Sequence, residues 1–354
     1  MNQETSSASA AKQEQKHPTP KPLYQIPILL RVLLLLFIVI GAVLTACAQA
    51  FPLSAILYSA AACGIFAFYY MLTFSPAVVF TVVPAFIIAY FVTGSISDAA
   101  SVLLFLPAGA VLSLCMLKRK NKSTAVLAVG AAFGITVFVF FLIRYMAQHG
   151  TIAPAALLES FNTGFEAVRT ELLSMVKALA QNAILKDSAY AEYYTDAYIT
   201  SVTNAIVDSA KLSIPAIAIV VCECIGYLCV SLYQLLVKLF RCSVLLPRAY
   251  RITMTRFSGV LFMIAYFINM FSGTKNLSLF QITAGNLAAI LMPGLFLMGL
   301  RSLARRAKSP LRRRSFIITA VVLVLLVFSY PPYAILFVIL DGLGEVFFGE
   351  KMLF

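Results

Sequence analysis

The chain has 354 residues, of which 61% are apolar and only 12% charged, and its mean hydropathy is +0.93. Soluble chains carry about twice that charged fraction, near 25%. So few charges cannot cover so much apolar surface in water. This excludes a soluble enzyme, a nucleic-acid reader despite a pI near 9.5, and a peripheral amphipathic binder. The expected fold class is all-α, a polytopic integral membrane helical bundle.

Residues 1–25 are polar, rich in Ser, Ala, Gln, Lys and Pro, and read as a disordered cytoplasmic tail. Nine apolar runs follow, and roughly 17–25 helical residues are needed to cross ~30 Å of hydrocarbon. Runs at 27–49, 53–72, 76–93, 96–117 and 124–146 make an N-terminal five-span bundle over 26–146. Runs at 212–237, 257–271, 279–300 and 316–340 make a C-terminal four-span bundle over 212–340, with 341–354 as an extracytoplasmic tail. The third and seventh runs are short, and a re-entrant segment is the alternative for each. Pro84 and Pro107 should kink the third and fourth spans. The first span ends in Leu44-Thr45-Ala46-Cys47, the pattern of a lipoprotein cleavage site. Its long polar lead and long apolar stretch favour a retained helix over processing at Cys47.

Net charge is +13, and its distribution matters more than its size. Threaded through nine spans, one face receives the N-terminal lysines, Lys118 to Lys122, Lys238 to Arg256 and Arg301 to Arg314. That is 19 cations against Glu4 and Glu14. The other face holds Asp98, the acids between Glu159 and Asp208, and Asp341, Glu345 and Glu350. The positive-inside bias puts the N-terminus in the cytoplasm and the C-terminus outside, in a bacterial cytoplasmic (inner) membrane. Topology signals account for the basic blocks, contact with anionic headgroups is compatible with them, and no nucleic-acid module accompanies them.

Residues 147–211 interrupt the rhythm of short loops and carry seven acids. Leu157, Phe161, Phe165, Val168, Leu172, Val176, Leu179 and Ala183 recur at helical spacing. A second stretch carries Tyr190, Tyr194, Tyr198 and Val202 on one face, with Asp187 or Ser188 as its N-cap. The spacing predicts an exported helical hairpin, and Thr151 to Ser209 would be its surface for membrane-protein partners. The tyrosines suit a ligand surface or an interfacial aromatic belt equally in chemistry, the belt being the commoner use.

Cys222, Glu223, Cys224 and Cys229 look like a metal cluster, but helix positions two apart point about 200° apart and cannot converge on one ion. No metal and no cofactor is expected. No Ser/His/Asp, Cys/His or paired-carboxylate arrangement appears, so the chain is not expected to be an enzyme. Glu223 is the most informative residue. It lies about 17 Å into the sixth span, where a charge costs ~2.5 kcal/mol or more and must face protein or water. Asn269 and Asn286 are further intramembrane polar groups, and Met292-Pro293-Gly294 is a place where helix hydrogen bonds can open. Glu223, Asn269 and Asn286 either line a substrate or ion site between spans six, seven and eight, or lock the bundle by interhelical hydrogen bonds. Arg144 is a candidate membrane-face charge near the outer end of span five. Gly130 and Gly134 form a close-approach motif.

Closely spaced N-terminal spans, the basic turn Lys118-Arg119-Lys120-Asn121-Lys122, an exported helical insertion and a C-terminal group of spans together resemble the YybS-like bacterial membrane proteins over roughly residues 31–340. The first half of that family is similar to the substrate-capturing subunits of energy-coupling-factor vitamin transporters. In those subunits a small-residue surface on an early span docks the coupling subunit. The row Ala55, Ser59, Cys63 and Ala67 is the nearest counterpart, and two of its four positions depart from Ala. Two function classes follow. One is small-molecule binding or transport, with no ATP-binding loop of its own. The other is a non-catalytic envelope or signalling scaffold that uses the exported hairpin and the basic loops.

Overall fold

Within hydrocarbon a backbone must satisfy its own hydrogen bonds, and helices do so segment by segment. The computed structural model describes residues 27–48, 51–150, 153–186, 192–247, 250–271, 279–309 and 313–348, and every regular element among them is helical. The 1–25 tail, Thr151, Asp187, Ser188, Tyr190 and Glu350 lie outside these residues. Among the described residues, eight helices are long and apolar enough to cross a membrane, and Arg256–Phe271 and Phe316–Ser329 are shorter apolar helices. The chain is an all-α polytopic bundle. Many of its large apolar side chains, including Phe37, Phe91, Phe138 and Leu325, are uncovered by protein and make the surface that meets lipid.

The first two spans are α1 (Ile28–Cys47) and α2 (Pro52–Thr73). The third begins as a 3-10 turn, Pro76–Thr81, that passes into α3 (Val82–Thr93). The fourth runs through α4 (Ile96–Ala99), a 3-10 stretch at Ala100–Leu104 and α5 (Phe105–Leu117). Pro84 and Pro107 each sit in the first turn of the α-helix that follows a 3-10 stretch. A residue without an N–H costs least there, so tight winding followed by α-helix replaces the expected mid-span kinks. Asn121 caps α6 (Lys122–His149), its Oδ1 accepting from the N–H of Thr124 at 2.8 Å, and Gly150 closes it at φ +73°.

The segment between the fifth and sixth spans forms α7 (Pro154–Lys186) antiparallel to the first half of α8 (Asp196–Leu239). The hairpin is held by Arg169 to Asp208 at 3.1 Å and Lys177 to Asp196 at 2.9 Å. α8 has 44 residues, about 66 Å, so the expected boundary at 211/212 falls inside one continuous helix. The change in composition at Leu212 marks entry into hydrocarbon and not a helix start. Thr195 is the N-cap, its Oγ1 accepting from the N–H of Tyr198 at 3.3 Å. Tyr194 precedes the helix and does not share a helical stripe with Tyr198.

The C-terminal part contains α9 (Arg256–Phe271), α10 (Leu279–Lys308), α11 (Arg313–Ser329) and α12 (Pro331–Phe348). The single ninth run expected at 316–340 is broken at Tyr330, because Pro331 and Pro332 cannot continue a helix but start one well. Two findings correct the sorting of charge by face. Asp341 pairs with Arg306 and Glu345 with Arg305, so these acids belong to the end of α10 that carries the basic block. Composition placed them opposite because it treated residues after 340 as a tail beyond the last span.

Burial divides the bundle into two cores. One unites α1, α2, α3, α5, α6 and the second half of α8 around Ile38, Phe68, Phe105, Leu112 and Tyr233. The other joins α9, α10 and α12 around Phe262, Leu295 and Ile339.

Candidate functional site

Glu223 owes its position to how α6 and α8 touch. A Cβ on Gly226 would lie 2.2 Å from the carbonyl oxygen of Val126, and one on Gly130 would lie 2.4 Å from that of Cys222. Only hydrogen fits at either place, so the two backbones are in direct contact, and the sulfur of Cys222 fills the space beside Gly134. Glu223 follows Cys222 and is turned about 100° around the helix from it. That rotation takes its carboxyl off the α6 contact and into a cleft of about 560 Å³ between the two cores.

The walls are the start of α6, Glu223, Cys224 and Tyr227 of α8, and Ile290 to Leu297 of α10, with the link 252–255 across the end. That link spans both cores. Tyr250 is buried in the first, whereas Ile252 and Met254 pack on the second. Burial also pushes the Tyr250 phenol well above its ordinary value, so it stays neutral. Ser123 joins α6 to the link, its Oγ donating to the Thr253 carbonyl at 2.8 Å and accepting from the Thr253 N–H at 2.9 Å. Arg301 donates to the carbonyl of Ile252 at 3.2 Å from the α10 side. Pro293 and Gly294 line the cleft inside a continuous α10, where Pro293 has no N–H to give to the helix.

Glu223 is half-buried and makes no hydrogen bond or ion pair with a described residue. The nearest buried cation is committed elsewhere. Lys122 donates to Oε1 of Gln234 at 3.0 Å and stands 4.7 Å over the Tyr227 ring.

The other expected site residues do not join Glu223. Asn286 donates from Nδ2 to the carbonyl of Leu212 at 3.0 Å, at the far end of the intramembrane part of α8. Leu212 is eleven residues from Glu223, about 16 Å along the helix. Asn269 packs near Gly285, its Oδ1 3.5 Å from where a Cβ would stand. The Asn286 bond is of the interhelical locking kind, made beside the step where Pro215 has no N–H to give to α8. Arg144 pairs with Asp98 at 3.5 Å and ties α6 to α4. The three residues Cys222, Cys224 and Cys229 diverge, to Gly134, to the cleft and to the first core respectively.

Tyr227 was findable from the sequence as the i+4 neighbour of Glu223. The link 252–255 carried no such signal, since it reads as an ordinary polar connection between spans. Of the small-residue row on α2, Ser59, Cys63 and Ala67 are buried inside the chain's own first core. The row is therefore covered and not presented to a coupling subunit.

α7 carries a second feature. Its protected side runs through Leu173, Val176 and Ala180, while Leu158, Phe161, Val168, Met175 and Leu179 are exposed in a separate row. Sequence periodicity merged two neighbouring stripes into one, because it cannot tell which stripe a partner helix will cover.

Residues 35–343 match a family model described as "Predicted membrane protein (DUF2232)", and the chain belongs to that family. No curated protein and no solved structure matches it.

Proposed function

From that membership and the cleft, we propose that this protein binds a small molecule between its two cores and acts in the membrane as a carrier or binding subunit. The supporting observation is the cavity of about 560 Å³ that holds Glu223 without a partner among the described residues. That volume lies in the usual range of ligand pockets, roughly 300–1,000 Å³. An unpaired carboxyl within a span is costly and marks a functional site by default. Movement of a ligand would draw on an ion gradient or a separate ATPase. The resemblance in layout read from the sequence, to YybS-like proteins and vitamin-capturing subunits, is compatible with this role, although the buried positions of the α2 row argue for a different mode of docking. We place the protein in a bacterial cytoplasmic membrane, with the N-terminus and the basic ends of α5, α8 and α10 inside, as the positive-inside bias requires.

The test is a ligand screen by thermal shift in lipid nanodiscs on the natural chain and on Ser258→Trp, which fills the cleft. A compound that stabilises the first and not the second supports the reading. A screen whose hits stabilise both equally removes it. The scaffold reading is favoured by the exposed row on α7. A photo-crosslinker at Met175 should then join α7 to one envelope protein in intact cells, and crosslinks to lipid alone would end that alternative.

A further inference from the structure

The polar groups at the cleft can be sorted by whether the protein already satisfies them. Asn121 Oδ1 accepts from Thr124 N–H, and Ser123 is bonded twice to Thr253. The Thr255 and Ser258 hydroxyls bond each other at 2.9 Å, and Thr255 Oγ1 also accepts from the Ser258 N–H at 3.2 Å. These bonds close the end of the cleft, where Asn121 Nδ2 and the Thr124 and Thr253 hydroxyls keep no described partner. Deeper in, the Glu223 carboxyl and the Tyr227 hydroxyl have no described hydrogen-bond partner, and most of the remaining wall is apolar, from Val126 and Leu127 to Ile290, Leu291 and Phe296. Two cations beside the cleft, Lys122 and Arg301, are turned to Gln234 and to the Ile252 carbonyl.

From this arrangement we infer that the cleft takes an amphiphilic organic cation, a protonated amine on an apolar body, with the ammonium donating to Glu223 and the apolar part against α10. An acid would meet the carboxylate, with Lys122 and Arg301 both engaged elsewhere. A sugar or other polyol would leave most of its hydroxyls facing apolar walls. A single donor group on an apolar body matches the Glu223 carboxyl, which has no described partner among these apolar walls. This rests on the small-molecule reading above and names its substrate class.

The experiment measures saturable binding of radiolabelled n-decylamine and n-decanol to the purified full chain, together with Glu223→Gln and Ser258→Trp. Decylamine should bind the natural chain at least tenfold more tightly than decanol. Glu223→Gln should erase that preference while leaving decanol unchanged, and Ser258→Trp should abolish both. Equal binding of amine and alcohol, unaffected by Glu223→Gln but lost in Ser258→Trp, overturns the amine while keeping the cleft as a small-molecule site. Binding that Ser258→Trp does not touch, or no saturable binding, overturns both. The comparison of amine with alcohol on the natural chain needs no variant, so misfolding of Glu223→Gln does not rescue the inference.

Discussion

Gly226→Ala adds one methyl group at the tightest point between α6 and α8. The new Cβ would stand 2.2 Å from the Val126 carbonyl oxygen, 2.8 Å from the Gly130 nitrogen and 3.1 Å from its Cα, all backbone atoms. An aliphatic carbon next to a carbonyl oxygen rests at about 3.3–3.6 Å, so the helices must part by roughly 1 Å or the backbone must bend. Overpacking of this kind typically costs about 1–3 kcal/mol. Intrinsic helix preference runs the other way and favours Ala by about 0.8–1.0 kcal/mol. The separation term is the larger of the two for backbone atoms that cannot yield, and the net effect should be destabilisation of up to about 2 kcal/mol. Gly164→Ala in α7 is the paired control, since nothing lies within 4 Å of its added Cβ. There only the helix preference acts, and stability of the hairpin should rise by up to about 1 kcal/mol. Unfolding in mild detergent, followed by circular dichroism and by fluorescence-detected size exclusion, reads both variants. Because Glu223 is positioned by this contact, Gly226→Ala should also weaken any ligand bound in the cleft, whereas Gly164→Ala should not. A Gly226→Ala protein as stable as the natural chain would refute direct backbone contact between α6 and α8.

Three further outcomes are expected. Asp341→Asn or Arg306→Gln alone should lower stability by about 3 kcal/mol, because each leaves a half-buried charge unpaired, and exchanging the two residues should restore much of the loss in the same unfolding assay. Asn286→Leu should cost under about 1 kcal/mol, as intramembrane hydrogen bonds usually do, and should leave ligand affinity at the cleft unchanged, since Asn286 bonds Leu212 and not the ligand walls. Thr195→Ala should cost about 1 kcal/mol through loss of the cap on α8, read as faster hydrogen exchange at the tip of the α7–α8 hairpin with the intramembrane amides unaffected.

Spans were legible in the sequence wherever an apolar run was long and bounded by charge, as for 27–49 or 124–146, since hydropathy measures the property that a bilayer selects. The Gly130 contact was legible too, because only small residues permit such approach. Two kinds of information were hidden. Helix continuity across Leu212 was hidden because composition changes there while helix propensity does not. Which polar residues meet was hidden because hydropathy puts Asn286 and Glu223 on neighbouring spans, and only the registration of α10 against α8 sets Asn286 beside Leu212, eleven residues along α8 from Glu223. The pairing of Arg305 and Arg306 with Glu345 and Asp341 is likewise a fact of packing. No charge count could supply it.

The break at Tyr330 changes the parity of the chain. If α11 and α12 each traverse the bilayer, the protein crosses an even number of times and both ends finish on the same side. Asp341 and Glu345, paired at the arginine end of α10, then return with the chain to that side. A green fluorescent reporter fused after Phe354 should therefore glow in the bacterial cytoplasm, and an alkaline phosphatase fused at the same point should stay inactive. The opposite pair of results would mean that the two prolines bend one crossing without adding another.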